Sequence, residues 1–370
     1  MKTVRKIIFF YAFFSLAFTN IQAQTDSKKP IRLAIAGVTH GHAAFILDRK
    51  GKTDFDLVGV FETNNELVHG YAKKYGFSTA LIYNNLNKML DTVKPEAVVA
   101  FGSILDHMKI VEACAPRGIH VMVEKPLATD FGQAERMVEL AKKYNIYLLT
   151  DYETSWYPTT SKSFQLINDS NFIGRVKKVV IHDGHQGPKE IGVGKEFLDW
   201  LTDPIQNGGG ALMDFGCYGA NLMTYLNNGQ NPVSVTAVTQ QFKPDVYPKV
   251  EDEATIIITY PSSQCIIQAS WNWPFSRKDM EIYGETGYII SLNSNIMRYR
   301  NKKMDTEQTR KVTSKDIEVF EDPFSYFANV INSKIKMTEY GLYSPQNNLM
   351  VLKILDAAKK SSKTGKTITF

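Results

Sequence analysis

Cysteine is scarce here: Cys114, Cys217 and Cys265 are the only three in 370 residues, and none forms a C-x-x-C pair. So odd and widely spaced a set builds neither a disulfide framework nor a zinc site, and a chain this long can rely on its core instead. Long apolar runs are missing too. The run Ile7 to Phe18 has about a dozen residues, short of the roughly 20 that a membrane-spanning helix needs. No block of basic residues stands out, since Lys and Arg are scattered, and this excludes a nucleic-acid footprint. Internal repeats and low-complexity tracts are absent as well.

The N-terminus has a distinct layout. Lys2, Arg5 and Lys6 precede the apolar run, and a short polar stretch then reaches Ala23. That is the pattern of a secretory signal peptide over 1–23, cleaved after about Ala23. No cysteine lies near the cleavage point to carry a lipid, so a soluble periplasmic or secreted protein is expected, with no membrane attachment once the leader is cleaved. The leader holds three cations and no acids, so its loss takes the formal charge from +5 to +2. At 44% hydrophobic and 22% charged, the remainder suits a globular protein with two cores.

Beyond the linker Ser27 to Pro30, strands and helices alternate. Ile31 to Ala36 reads as a buried strand ending at Gly37, Phe55 to Phe61 as a second, and Ala97 to Phe101, His120 to Val123 and Ile146 to Thr150 as others. Helical patterns run from Ala43 to Arg49, Asn65 to Tyr75, Leu86 to Thr92, about His107 to Ala115, and Phe131 to Tyr144. This predicts an α/β Rossmann domain over 31–150 with a doubly wound parallel sheet. From Asp151 the texture shifts to β-branched stretches: Val176 to Ile181, Val233 to Thr239, Ala254 to Tyr260 and Cys265 to Ser270. They predict an α+β domain over 151–340 with a large, mostly antiparallel, open-faced sheet. Helices are expected near Phe324 to Lys336 and Gln346 to Lys360, the latter within a C-terminal helix and tail over 341–370.

A strand that runs into a glycine turn and a helix can rest a dinucleotide pyrophosphate on N–H groups. Here the turn is Gly37-Val38-Thr39-His40-Gly41-His42, and only Gly37 matches G-x-G-x-x-G in register. Thr39 and His42 replace the other glycines, so the turn as cofactor site rests on Gly37, Thr39, His40 and His42, whose hydroxyl and ring N–H groups are able to donate to phosphate. Glu62 ends the second strand about 25 residues beyond Gly37, where a carboxylate reaches a ribose 2′-hydroxyl and repels a 2′-phosphate, favouring NAD over NADP.

Val121 to Ala128 places a strand and then Glu124-Lys125-Pro126 at the edge of the sheet where ligands of such folds bind. Proline restrains the preceding residue, so Lys125 points in a set direction. The segment resembles the E-K-P motif of the glucose-fructose oxidoreductase, inositol dehydrogenase and MocA (Gfo/Idh/MocA) family. A second motif, Gly208-Gly209-Gly210-Ala211-Leu212-Met213-Asp214-Phe215-Gly216-Cys217-Tyr218, is similar to that family's G-G-G-x-L-x-D-x-G-x-[HY]. The resemblance covers the chain from Ile31 onward. It implies a nicotinamide cofactor, with Glu124 and Lys125 at the junction of nicotinamide and substrate, and a homo-oligomer. Tyr218 and Asn221 stand where many members carry histidine and aspartate, so the tyrosine branch is the model and the histidine mechanism is not carried over.

Oxidising a secondary alcohol takes a hydride from carbon and a proton from the hydroxyl. Tyr218 is the expected base, with Lys125 lowering its pKa and donating to the substrate oxygen, and Asp214 as support. Tyr152, His182 and His185 are candidate substrate contacts, with His107 also near the cleft. Trp156, Tyr157, Trp271 and Trp273 are candidates for stacking on a sugar ring. No metal is expected, because on a strand end His182 and His185 do not share a face. The expected substrate is a small sugar or sugar derivative, oxidised on a retained NAD because an exported enzyme meets no free nicotinamide pool. Two alternatives use the same parts: an NAD-dependent glycosidase working by transient oxidation and elimination, and a non-catalytic sugar or dinucleotide sensor.

Overall fold

The computed structural model describes residues 29–370, and the expected leader over 1–23 lies outside the described residues. The run after the linker does form a strand, β1 (Ile31–Ala36), flanked by β2 (Phe55–Phe61) and β4 (Ala97–Ala100). With β3 (Ile82–Tyr83), β5 (His120–Glu124) and β6 (Leu148–Asp151) these make a parallel sheet in the order β3-β2-β1-β4-β5-β6. The direction of winding reverses between β1 and β4, which is where doubly wound sheets open a crevice.

Five helices link these strands: α1 (Ala43–Leu47), α2 (Asn65–Tyr75), α3 (Leu86–Val93), α4 (Ile104–Cys114) and α5 (Phe131–Lys143). Local chemistry sets their ends. The Asn64 side chain accepts the Leu67 N–H at the start of α2, and Gly76 closes it in the left-handed region at φ 76°. Asp130 caps α5 in the same way by accepting from Gln133.

The second sheet is larger and mixed. It combines β7 (Val176–Gly184), β8 (Ser234–Gln240), β9 (Glu253–Thr259), β10 (Gln264–Ser270), β11 (Arg277–Gly284), β12 (Gly287–Ser291), β13 (Ile296–Asn301), β14 (Gln308–Lys311) and β15 (Ile368–Thr369). Their order is β14-β13-β12-β11-β7-β10-β9-β8-β15, antiparallel except where β7 and β10 run parallel. Alternate residues of β9 and β10 are buried, against α9 (Gly216–Leu226) and α11 (Pro345–Thr364). The opposite face leaves Val238 63% exposed. Helix α6 (Pro158–Asn168) connects the two sheets, and α7 (Lys195–Leu201) and α8 (Ala211–Asp214) lie between β7 and β8 of the second.

One packing relationship was not expected from the order of elements. Helix α10 (Pro323–Ile331) places Phe324, Phe327 and Val330 among Leu33, Val99 and Met122 of the first sheet. Chain from the second expected unit therefore completes the first core. All three cysteines are buried and unpaired. No helix among the described residues is long and apolar enough to cross a membrane.

Candidate active site

A cavity of about 910 Å³ lies between the ends of β1 and β5 and the second sheet, at the upper end of the range for small-molecule sites. Lys125 reaches it from the end of β5, where the Lys125–Pro126 bond is cis. Its ammonium donates to the Asp214 backbone carbonyl at 2.9 Å and makes a tight ion pair with the Asp214 carboxylate. Both side chains are 7% exposed. Burial opposes both charges, yet each outweighs burial for the other: Lys125 ends above the usual lysine range and Asp214 below the usual carboxylate range. The second Asp214 oxygen accepts the Trp271 indole N–H at 2.9 Å.

Asp214 is held by a glycine run that is packed and not flexible. A Cβ on Gly210 would sit 1.9 Å from the Glu251 carbonyl oxygen, and one on Gly208 (φ +83°) 2.6 Å from that of Thr129. The Glu251 side chain accepts the N–H groups of Gly210 and Leu212. The run is thus bolted to the start of β9.

Tyr218, in the first turn of α9, lines the cavity with its ring 5.1 Å from the Lys125 nitrogen. The expectation that Lys125 lowers its pKa is corrected here. Burial, then the Glu153 carboxylate, push the phenol well above its ordinary value, and Lys125 faces the ring while bound to Asp214. The cation beside the hydroxyl is Lys278 of β11, its nitrogen 3.5 Å from the Tyr218 oxygen and 4.9 Å from the ring centre. Lys278 is in turn ion-paired with Glu153. Neither Lys278 nor Glu153 carries a sequence motif, and both were missed.

At the glycine turn, Gly37 has φ +81° and a Cβ there would lie 2.7 Å from the Gly102 nitrogen, so this position admits only glycine. Four of the turn's N–H groups are used inside the protein: Gly37 on Phe61, Val38 on Glu62, His40 on Phe101 and His42 on the His40 ring. Thr39 lines the cavity, but its hydroxyl already accepts the Trp200 indole N–H at 3.0 Å and faces the Phe101 carbonyl. Glu62 ends β2 as expected and is 6% exposed, its oxygens accepting from Val38, Thr63 and Asn64. It stands behind the cavity wall, while Leu67 and Tyr71 of α2 line it.

His42 donates to the buried Glu124 carboxylate at 3.0 Å. Burial raises the Glu124 carboxyl, but the two histidines outweigh it and leave it below its usual range. His40, His42 and Glu124 offer ligand atoms within 4.8 Å of one another. The His40 Nδ1, however, accepts the His42 backbone N–H, which occupies that nitrogen and puts the ring proton on Nε2. Burial keeps His40 neutral, lowering its pKa to about 3. The trio reads as a hydrogen-bonded chain from the turn to Glu124, the residue before Lys125.

Of the expected substrate contacts, His185 lines the cavity. His182 does not; it bonds Asp279 on the neighbouring strand at 2.9 Å, as the β7–β11 register dictates. Tyr152 is fully buried and packs edge-on behind Tyr218 at 5.5 Å, so it supports the ring and cannot touch substrate. Among the aromatic candidates Tyr157 lines the cavity, whereas Trp271 is core and serves Asp214. Trp156 and Trp273 stand outside the lining. His107 is buried under the Glu124-Lys125-Pro126 segment and donates to the Leu127 carbonyl at 3.2 Å.

Comparison with known proteins agrees with this geometry. Residues 31–152 match the model of an oxidoreductase family with an NAD-binding Rossmann fold, and residues 165–290 match a GFO/IDH/MocA C-terminal domain. The chain is 26% identical to a trans-1,2-dihydrobenzene-1,2-diol dehydrogenase of Xenopus tropicalis over 70% of its length and 75% of the relative's. It is 21% identical to a D-xylose 1-dehydrogenase [NADP(+)] of Haloarcula marismortui over 94% and 95% of the two chains. Its fold is similar to that of an aldose-aldose oxidoreductase from Caulobacter crescentus, with a TM-score of 0.77 at 21% identity over 92% and 100% of the two chains. The chain belongs to the Gfo/Idh/MocA family of NAD(P)-dependent oxidoreductases acting on CH–OH groups.

Proposed function

We propose that this enzyme is exported and oxidises or reduces a secondary alcohol of a sugar or sugar derivative on a retained NAD. The observation that carries the reading is the meeting of Lys125, Asp214 and Tyr218, from two distant motifs, on one cavity wall. When bound, the nicotinamide takes or returns the hydride. The protein's own residues handle the proton: in the reducing direction Tyr218 gives its phenol proton to the substrate oxygen, in the oxidising direction its phenolate, formed when the phenol proton has left to solvent, takes the hydroxyl proton, and Lys125, fixed by Asp214, donates to the oxygen as charge develops there. Glu62 supports NAD over NADP, since three N–H donors hold its carboxylate in place at the end of β2, where a 2′-phosphate would be repelled.

Retention is supported by Trp200 and Phe197 of α7, which reach from the second sheet's side onto Thr39 and His40 of the glycine turn. A homo-oligomer formed through the open sheet face, where Val238 and Ile296 are exposed, completes the reading.

The test is the mass and absorbance of nucleotide released when purified protein is denatured. NAD at close to one per chain is expected, and no nucleotide at all would count against retention. Turnover with free sugars, compared with aglycone release from glycosides, separates dehydrogenation from elimination. Mass spectrometry of the exported protein, expected to begin just after Ala23, tests the leader.

A further inference from the structure

The sequence motifs account for one lysine beside Tyr218, and the structure supplies another. Lys278 stands on β11, its nitrogen within 3.5 Å of the Tyr218 oxygen, and it is ion-paired with Glu153, which follows β6. The three side chains come from three separate elements and all line the cavity. Glu153 is bound at both oxygens, by Lys278 at one and by the Tyr157 hydroxyl at 2.6 Å at the other. The Lys278 and Glu153 side chains are 23% and 28% exposed, so a molecule in the cavity can reach both.

From this geometry we infer that Lys278 is shared between Glu153 and Tyr218, and that the share it gives Tyr218 sets how readily the phenol acts as a base. Both are positioning residues, acting through Tyr218, and the inference rests on Tyr218 being the acid/base of the reaction.

The electrostatics have opposite signs for the two partners. An ammonium near the phenol oxygen favours the phenolate, and a carboxylate disfavours it. Glu153 acts twice against ionisation, directly through its charge and indirectly by drawing Lys278 away. A substrate hydroxyl that engages Glu153 weakens its hold, and Lys278 then turns to the phenol as the proton must be taken. The remaining groups around Tyr218 do not make this choice. Lys125 is held by Asp214, and Glu124 is held by His42. Burial raises the pKa values of the Asp183 carboxyl and the Cys217 thiol, which disfavours a charge on either. Tyr152 presents its ring.

The test is fluorine NMR of the full protein labelled with 3,5-difluorotyrosine, whose greater acidity brings the titration into an accessible pH range. Tyr218→Phe identifies the resonance. Glu153→Gln is expected to lower the Tyr218 midpoint and Lys278→Met to raise it, each by about tenfold or more in proton affinity. Lys278→Arg keeps a cation and stays near the wild type, which also serves if the methionine variant fails to fold. Shifts of the two variants in the same direction, or a Glu153→Gln protein whose Tyr218 titrates no earlier than the wild type, would overturn the proposal. The measurement uses neither nucleotide nor sugar. A failure of the redox reading, seen as no nucleotide on denaturation, is therefore a separate result.

Discussion

Lys125 donates both to the backbone carbonyl and to the carboxylate of Asp214, a residue 89 positions away, so one lysine clasps both ends of the same aspartate. That clasp joins the two family motifs and fixes the ammonium against the cavity wall.

Replacing Asp214 by Asn leaves a buried lysine without its counterion. At neutral pH this is expected to cost about 3–5 kcal/mol in denaturant unfolding, together with most of the turnover. The pH dependence follows from the two shifts. Lys125 is raised, so its contribution is complete below its unfolded pKa and fades as pH rises through the folded one. Asp214 is lowered, so its contribution is present above its unfolded pKa and fades as pH falls through the folded one. The gap between wild type and variant is thus widest around neutrality and closes at both extremes. A gap that is constant with pH contradicts the ion pair.

Trp271→Phe separates burial from hydrogen bonding. The ring is retained in the core, and only the indole N–H to the Asp214 oxygen is removed. Hydrogen bonds to charged groups contribute about 1.5–3 kcal/mol, so a stability loss of that size is expected, with kcat falling more than KM rises. An unchanged kcat would show that Asp214 needs no orientation from behind.

Glu124→Gln tests the His42 contact on the residue before the lysine. The Glu124 carboxyl is held below its usual range, so its contribution is present above the unfolded pKa and is lost as pH falls through the folded value. Thermal melts from neutral pH downward are expected to show the variant less stable at pH 7 and level with the wild type in acid. Equal melting temperatures at neutral pH rule out a stabilising role for the His42 contact.

Legibility in the sequence followed locality. β1 and α2 could be placed because an apolar run meets Gly37, and because Asn64 and Gly76 punctuate the helix. Lys125, Asp214 and Tyr218 could be found because each sits in a compact motif. β11, with the sequence RKDMEIYG, was missed because Lys278 puts a charge on the face of Met280 and Ile282 and breaks its alternation. Helix α9 is buried on nearly every side and so shows no amphipathic stripe. Tyr152 was overvalued because a position just past a strand end says nothing about which way the ring turns. Pairs such as Glu153 with Lys278, 125 residues apart, exist only once the segment after β6 is folded against β11.

Gly210→Ala probes whether the glycine run is a packing device for the site. A methyl group there meets the Glu251 carbonyl oxygen at 1.9 Å and the Val250 Cβ at 3.0 Å, and the first is backbone, which cannot rotate away. That same carbonyl accepts the Ala211 N–H at 3.0 Å, while the Glu251 side chain accepts from Gly210 and Leu212. Relief therefore has to come from moving α8, and Asp214 is its last residue. The expected result is a loss of about 3 kcal/mol and a fall in kcat larger than that loss explains, because Lys125 follows Asp214. Gly70→Ala on α2, where a Cβ has nothing within 4 Å, is the control. There the same change is expected to raise stability by about 0.5–1 kcal/mol and leave turnover alone. If both variants behave alike in unfolding and turnover, the glycine run is not what holds Asp214 in place.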